Sequence, residues 1–448
     1  MSLRYTSAEP IFAMRMIRNN QILLAALLLF FAITSVLFAE SLVFPPYKHS
    51  YGIRKATPAH LFMFFGTSTQ FNDPQGLSTT RLDSWDDPKT KKDDDEVIVY
   101  GVNSGKHQLI YNTSMYALAL FGEKGSDPGC FLYPKGVAAN TKGDVYVADS
   151  GNNRIVHLFN PKAELLWRNT FNGATEKDSG VIGPLRVALD EKGGVYATDA
   201  VHRKIFVFTN KDELKMTIPS NGKHDIFSDN PTALAVADGT AKWSYFRDER
   251  VIFCADQKGS RLWKINTDGT VLKSVKLPDG YHAFYGAIDF YHNYWITDIQ
   301  KHCILKYDHD LNFLEVFGSY GEKKDQFVEP RGITIYKRFG QTFIAEKKGA
   351  QYYWMGTQFR SADLRPVDQS RYNLTVKATE FSFVSLLSVS GKDTVYYCKR
   401  RMIMPPSDMF SITDTSGFAK VPSLILKIEP TYSSYTYNAW YYPLKITR

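Results

Sequence analysis

Six residues with side-chain oxygens recur along this 448-residue chain: Asn103, Asp149, Asp199, Asp256, Asp298 and Glu346. Each opens a polar turn that carries cations or imidazoles. The cations are Lys106, Arg154, Arg203, Lys204, Lys258, Arg261, Lys301, Lys347 and Lys348, and the imidazoles are His107, His202 and His302. Such a set could support three kinds of chemistry. Imidazoles converging from different segments could hold a metal with an open coordination position. A ring of cations could draw an anionic ligand through its summed field, more weakly at high salt. In the third reading each carboxylate accepts hydrogen bonds from turn amides, and the cation five residues on pairs with it.

The elements that carry these residues decide between them. The six copies read VYGVNSGKHQLIYN, VYVADSGNNRIVHLFN, VYATDAVHRKIFVF, IFCADQKGSRLWKI, YWITDIQKHCILKY and TFIAEKKGAQYYWM. A strand leads into the anchor, and an apolar strand leaves the turn. By subtraction the anchors lie about 46, 50, 57, 42 and 48 residues apart, in the period range of propeller blades. Such units cannot bury their own faces and must stack. A second signature joins them. Phe121-Gly122 leads to Phe131 and Pro134-Lys-Gly136, Phe317-Gly318 leads to Phe327 and Pro330-Arg-Gly332, and Phe65-Gly66 leads to Phe71 and Pro74-Gln-Gly76. Each copy predicts an outer strand ending at Phe-Gly, a crossover, and a Pro and Gly that shape the start of the next innermost strand. The strand expected over His60–Phe65 precedes the first unit, and the sixth unit lacks an outer strand. The expectation is that 60–65 closes the ring by completing that unit.

The stretch Pro134-Lys-Gly136-Val-Ala, then Gly143-Asp-Val-Tyr146-Val-Ala-Asp149 and Asn153-Arg154-Ile155, resembles the NHL repeat family. The resemblance extends over about residues 57–358 and implies a six-bladed β-propeller of four-stranded sheets, an all-β fold closed by an N-terminal strand. The motif Arg is replaced by Gln108, Lys204, Cys303 and Gln351 in four copies. Related propellers bind proteins or RNA on the face formed by these turns. That makes Lys106, Arg154, His202, Arg203, Lys204, Lys258, Arg261, Lys301, His302 and Lys347 the candidate binding rim. The family's resemblance to amidating lyases implies an alternative, a metal held by histidines in the central channel. Here no two of His107, His202, His282, His292 and His302 occupy equivalent innermost positions, and turn histidines are expected to be solvent-exposed. No nucleophile elbow, phosphate loop or metalloprotease motif is present in the sequence.

Two segments interrupt the repeat. Arg81–Glu96 is a charged loop without calcium-loop spacing. Ala241–Arg250 is an insertion whose Trp243, Tyr245 and Phe246 either pack on the blade or form a contact patch. Beyond about 360 the pattern changes to short β-rich runs that predict a small C-terminal β-sandwich over 360–448. Val389-Ser-Gly391, Asp414-Thr-Ser-Gly417 and Val421-Pro-Ser423 resemble the Ig-like domain of exported bacterial proteins, without its usual Gly-x-Tyr. The four cysteines show no metal-ligand spacing.

Ile22–Ala39 is an apolar run preceded by Arg15 and Arg18. It predicts that residues 1–41 are a signal peptide or membrane anchor, placing the remainder outside the cytoplasm, periplasmic, secreted or membrane-anchored. Export disfavours nucleic acid as a partner. A formal charge of +8 favours an acidic one. The expectation is therefore a binding or scaffold module for a protein, glycan or other envelope component, leaning away from enzyme. The alternative is a periplasmic or secreted lyase or hydrolase working in the channel. No cofactor is indicated.

Overall fold

The computed structural model describes residues 41–44, 55–86, 89, 96–114, 117–175, 179–219, 226–256, 258, 261–390, 393–414, 423–432 and 439–446. The apolar run 22–39 and most of the charged run 87–95 lie outside the described residues. The chain divides into two compact units, one comprising residues 42–355 with 432–434, the other formed mainly by 356–431 and 435–448.

The larger unit is a β-propeller. Five sheets are four-stranded antiparallel meanders, each starting with its innermost strand: Pro74–Thr80, Gly136–Ala139, Val187–Leu189, Pro231–Asp238 and Tyr285–Ile288. The sixth begins at Gly332–Tyr336 and continues through Gln341–Glu346 and Gly349–Met355. The innermost strands pack side by side in chain order, and the last returns to the first, where Thr79 N donates to Thr334 Oγ1 at 3.0 Å. Alternation within each strand sends large apolar residues into layers between neighbouring sheets. Val137, Val145 and Val147 join Tyr100 and Leu109 in one layer, while Ala138, Tyr146 and Ala148 join Val187 and Phe206 in the next.

Closure is achieved with different residues from those expected. Pro58–Phe65 is an α-helix. Thr57 caps it, with its amide donating to His60 Nδ1 at 3.1 Å, Pro58 occupies the first turn, and Gly66 ends it. Two short strands complete the sixth sheet instead, both antiparallel to Gly349–Met355: Leu42–Val43 opposite Met355 and Trp354, and Lys55–Ala56 opposite Gln351 and Ala350. The N-terminal side of the chain still closes the ring, but 60–65 does not. A continuous run of apolar and aromatic residues carries no periodicity to separate strand from helix.

The Phe-Gly signature has a steric origin. Gly122 and Gly318 adopt φ of 100° and 91°, and a Cβ at either would lie within 2.5 Å of the Phe131 or Phe327 ring. Both rings are fully buried. In each case the chain turns over a phenyl ring on its way to the next sheet.

The smaller unit holds two antiparallel sheets. One has three strands, Phe359–Pro366, Arg371–Ala378 and Ser407–Thr413. The other has four, in the order Asp393–Ile403, Ser382–Ser390, Leu424–Pro430 and Trp440–Leu444. Leu364, Leu374, Val376 and Phe410 from the first share a core with Leu386, Ile403, Leu426 and Ile428 from the second, as in a β-sandwich.

Candidate functional site

The pairing registers fix where the anchor turns lie. Pro74 pairs with Asn103 and Gly136 with Ala148. The start of each innermost strand therefore sits at the same end as the anchor turn, and the crossovers arrive at this end too.

Each anchor binds the crossover that feeds its own sheet. Asn103 accepts from Asn72 N at 2.8 Å, Asp149 from Leu132 N at 2.7 Å and Asp199 from Ile182 N at 2.7 Å. Asp298 accepts from His282 N and Glu346 from Val328 N, both at 2.7 Å, and Asp256 from Ser228 Oγ at 2.6 Å. Asp199 and Asp298 also accept from amides of their own turns, at Val201 (2.6 Å) and Lys301 (2.9 Å). Asp149, Asp199, Asp256 and Asp298 are fully buried. Burial pushes the carboxyls of Asp149, Asp256 and Glu346 above the usual range, against the pull of these hydrogen bonds.

The next crossover amide is taken by the preceding blade. His107, Asn153 and His302 are left-handed residues four positions after their anchors, with φ between 53° and 57°. Tyr133 N donates to His107 Nδ1 at 3.0 Å, Gly183 N to Asn153 Oδ1 at 2.9 Å, and Glu329 N to His302 Nδ1 at 3.0 Å. Successive amides of one crossover are thus held by successive blades. A ring nitrogen that accepts from an amide carries no proton, so both imidazoles serve this role in their neutral form. Burial, reinforced by Lys124, lowers the His107 pKa accordingly. The expectation that the turn histidines are solvent-exposed fails for His107, which is buried.

The remaining rim residues divide into tethered and outward-facing ones. Arg154 binds Asp149 through Nε at 2.8 Å and the carbonyls of Ser126 and Cys130 at 2.6 and 3.0 Å, as the pairing reading expects. Gln351 repeats the pattern toward Glu346 at 2.5 Å. In the fourth blade Trp263 Nε1 donates to Asp256 at 3.0 Å, leaving Arg261 to contact Ser274 Oγ at 3.1 Å. His202 meets Asp199 through Nδ1 at 3.0 Å. Lys347 bonds Glu329 at 2.7 Å, and Lys301 lies over the Tyr281 ring at 5.9 Å. Arg203, Lys258, Arg261, Lys301, Lys347 and Lys348 are exposed, while Lys106, Arg154 and Lys204 are half-buried. Between them stand exposed apolar groups that charge patterning did not reveal: Val201 (58% exposed), Tyr320 (68%) and Tyr133 (49%). The two tyrosine rings lean on the clamping imidazoles, Tyr133 on His107 and Tyr320 on His302, with centroids 4.5 and 4.8 Å apart.

At the channel mouth the residues between the Pro and Gly of the crossover signature form a charged chain. Lys135 binds Asp73 at 3.0 Å, Gln75 donates to it at 2.8 Å, and Arg331 binds it as well. Arg331 continues to Glu329 at 2.6 Å. Burial raises the Asp73 carboxyl, but the Lys135 charge, the hydrogen bonds from Lys135 and Gln75 and the Arg331 charge together outweigh it and the net shift is down.

Deeper in, five blades place Gly76, Gly136, Ala233, Gly286 or Gly332 where innermost strands touch; a Cβ at Gly136, Gly286 or Gly332 would strike the neighbouring backbone, and one at Gly76 the Tyr285 side chain. The third blade has Arg186 there. Its Nε and Nη2 donate to Phe284 O in the fifth blade at 3.2 and 2.8 Å, and its guanidinium faces the Phe284 and Tyr285 rings at 4.7 and 4.8 Å. Tyr285 reaches back toward Val137 O of the second blade at 3.5 Å. These two buried side chains run across the axis, from the third blade to the fifth and from the fifth to the second. Burial pushes the Arg186 pKa down to about 10. Sequence reasoning missed Arg186, although an Arg in a column of Gly and Ala was its visible signal. Among the described residues no three His, Cys, Asp or Glu side chains gather as metal ligands.

The surface is an arc of exposed cations on the third to sixth blades, with three exposed apolar side chains on the same face. It can take up an extended acidic surface, with the aromatics supplying the apolar contacts that charge alone does not.

The chain is similar in structure to virginiamycin B lyase of Staphylococcus aureus, at 13% identity over 58% of this chain and 77% of that one, with a TM-score of 0.41. A streptogramin B lyase matches at 14% identity over 64% and 95%, TM-score 0.43. A gluconolactonase of Xanthomonas campestris matches at 11% identity over 71% and 98%, TM-score 0.44. The curated proteins contain no match. The NHL repeat family matches residues 131–158, the crossover end and first three strands of the second blade. The larger unit, a β-propeller by its sheets, thus carries one stretch that matches the NHL repeat.

Proposed function

We propose that this protein is an exported, six-bladed NHL-repeat propeller that acts as a binding module, docking an acidic envelope partner, protein or glycan, on its anchor-turn face. The apolar run 22–39 supplies export or anchoring, and the C-terminal unit is an Ig-like spacer. The observation that carries this reading is the division of labour on that face. Carboxylates and clamping imidazoles are turned inward to the backbone, whereas Arg203, Lys258, Arg261, Lys301 and Lys347 are turned outward beside Val201, Tyr133 and Tyr320. What favours docking over a lyase or hydrolase in the channel is the crossing of the axis by Arg186 and Tyr285.

The test is retention of the mature protein on immobilised anionic polymers of graded charge density. Binding should weaken linearly in log salt, and the bound polymer should protect Tyr133 and Tyr320 from hydroxyl-radical footprinting. Equal retention on neutral and anionic supports, or protection confined to the opposite face, overturns it.

A further inference from the structure

The opposite end of the fourth blade carries a different constellation. The insertion between its first two strands, residues 239–249, is pinned at its base by Gly239 N to Glu249 O at 2.6 Å. It does not simply pack on its own blade. Tyr245 N donates to Phe290 O at 2.9 Å, and the Tyr245 ring contacts Phe290 and Tyr291 in the fifth blade. This brings Ser244 against His292, the residue at φ 56° in the first turn of the fifth blade. Ser244 Oγ lies 2.7 Å from His292 Nε2, and His292 Nδ1 lies 2.5 Å from Glu249 Oε2.

The protons in this chain follow from its chemistry. A carboxylate only accepts, so Nδ1 of a neutral His292 carries the ring proton and donates it to Glu249. Nε2 is then the unprotonated nitrogen, and its lone pair faces the Ser244 hydroxyl. Glu249 stays ionised. Burial raises its pKa, but the hydrogen bond from His292, the nearby His309 ring and the Lys264 ammonium at 2.5 Å outweigh this and hold it far below the usual carboxylate range. Burial lowers the His292 pKa, with Glu249 opposing, so the imidazole is neutral at pH 7. A hydroxyl, a neutral imidazole and an orienting carboxylate in this order are the parts of an activated nucleophile.

We propose that Ser244, His292 and Glu249 form a second, nucleophilic site, with Ser244 attacking small uncharged acyl or phosphonyl electrophiles. The Phe246 ring packs against both His292 and His309, centroids 5.7 and 3.9 Å away, and Ser244 is 1% exposed. Phe246 is therefore the group an electrophile displaces. As Oγ attacks, its proton passes to His292 Nε2. With a fluorophosphonate, the O–P bond forms, the P–F bond breaks, and fluoride leaves with that proton. With an ester, the alkoxide leaves with it, and water then releases the acyl group as a carboxylic acid. The site lies at the other end of the sheets and does not rest on the docking reading.

The experiment treats the full chain with an alkyl fluorophosphonate and reads adducts by intact mass and peptide mapping. One adduct on Ser244 is expected, absent in Ser244→Ala. Labelling should slow by roughly 10²–10⁴-fold in His292→Gln and accelerate in Phe246→Ala. Melting curves establish that each variant is folded. No adduct on Ser244 in either the native or a folded Phe246→Ala protein overturns the proposal, as does labelling that persists unchanged in Ser244→Ala.

Discussion

The two ends of the propeller sheets use the same residue types for different tasks. At the end away from the anchors, Asn140 accepts from Lys142 N and Asp144 N, Asp190 from Lys192 N and Gly194 N, and Asp289 from Tyr291 N and Asn293 N. Each bond closes a turn within one blade. At the anchor end, Asp149 and His107 take successive amides of one crossover from two different blades. Glu346 and His302 do the same for another. The first arrangement stabilises a hairpin, and the second couples neighbours and makes blade order cooperative. Residues repeated in every blade are accordingly architecture. The groups that break the repeat, Arg186 in the glycine column and Ser244 in the insertion, are the ones left for other roles.

Removing residues 1–56, so that the chain starts at Thr57, takes the outer strands from the sixth sheet and should cause the largest loss of stability, seen as a lower Tm. An unchanged Tm would mean the ring closes without them. Next, Asp149→Ala leaves Arg154 and Leu132 N without their acceptor, and breaking such a buried pair costs roughly 3–5 kcal/mol in urea unfolding. Asp149→Asn should cost less, because Asn103 performs the same task in the first blade. At the opposite end, His157 lies between Asp144 (3.1 Å) and Asp212 (3.0 Å) and stacks on Tyr146. Burial lowers its pKa, but the two carboxylates outweigh this and raise it from 6.5 to about 9. A raised pKa favours the folded state fully below pH 6.5, and that contribution is lost as pH rises through 9. Its size is about 3 kcal/mol, and a His157→Gln protein should lack this pH dependence. The smallest effect on stability should come from the outward cations, since Lys258→Glu or Lys301→Glu should shift unfolding by no more than about 0.5 kcal/mol.

Much of this architecture was legible in the sequence because the second blade carries a nearly complete copy of the repeat. Its Pro134, Gly136, Asp149 and Arg154 set the columns by which the other blades were aligned. Capping of turns by the anchors was legible in part. Their reach into the crossover was not, because that contact joins Asp149 to a residue 17 positions earlier through its backbone, which has no side-chain signature. The helix at Pro58–Phe65 was misread from its apolar run, although Thr57-Pro58 before it and Gly66 after it are helix boundary signals. The Ser244–His292–Glu249 chain was illegible. Ser244 and His292 are 48 residues apart, on different blades, and only the packing of the insertion brings them together.

The most direct measurement compares the native protein with a quadruple charge reversal, Arg203→Glu, Lys258→Glu, Arg261→Glu and Lys301→Glu, for binding to an anionic polymer at two salt concentrations, with Tm as the control. Tm should be unchanged, while binding is lost and its salt dependence flattens. Native-like binding by the folded variant would contradict it.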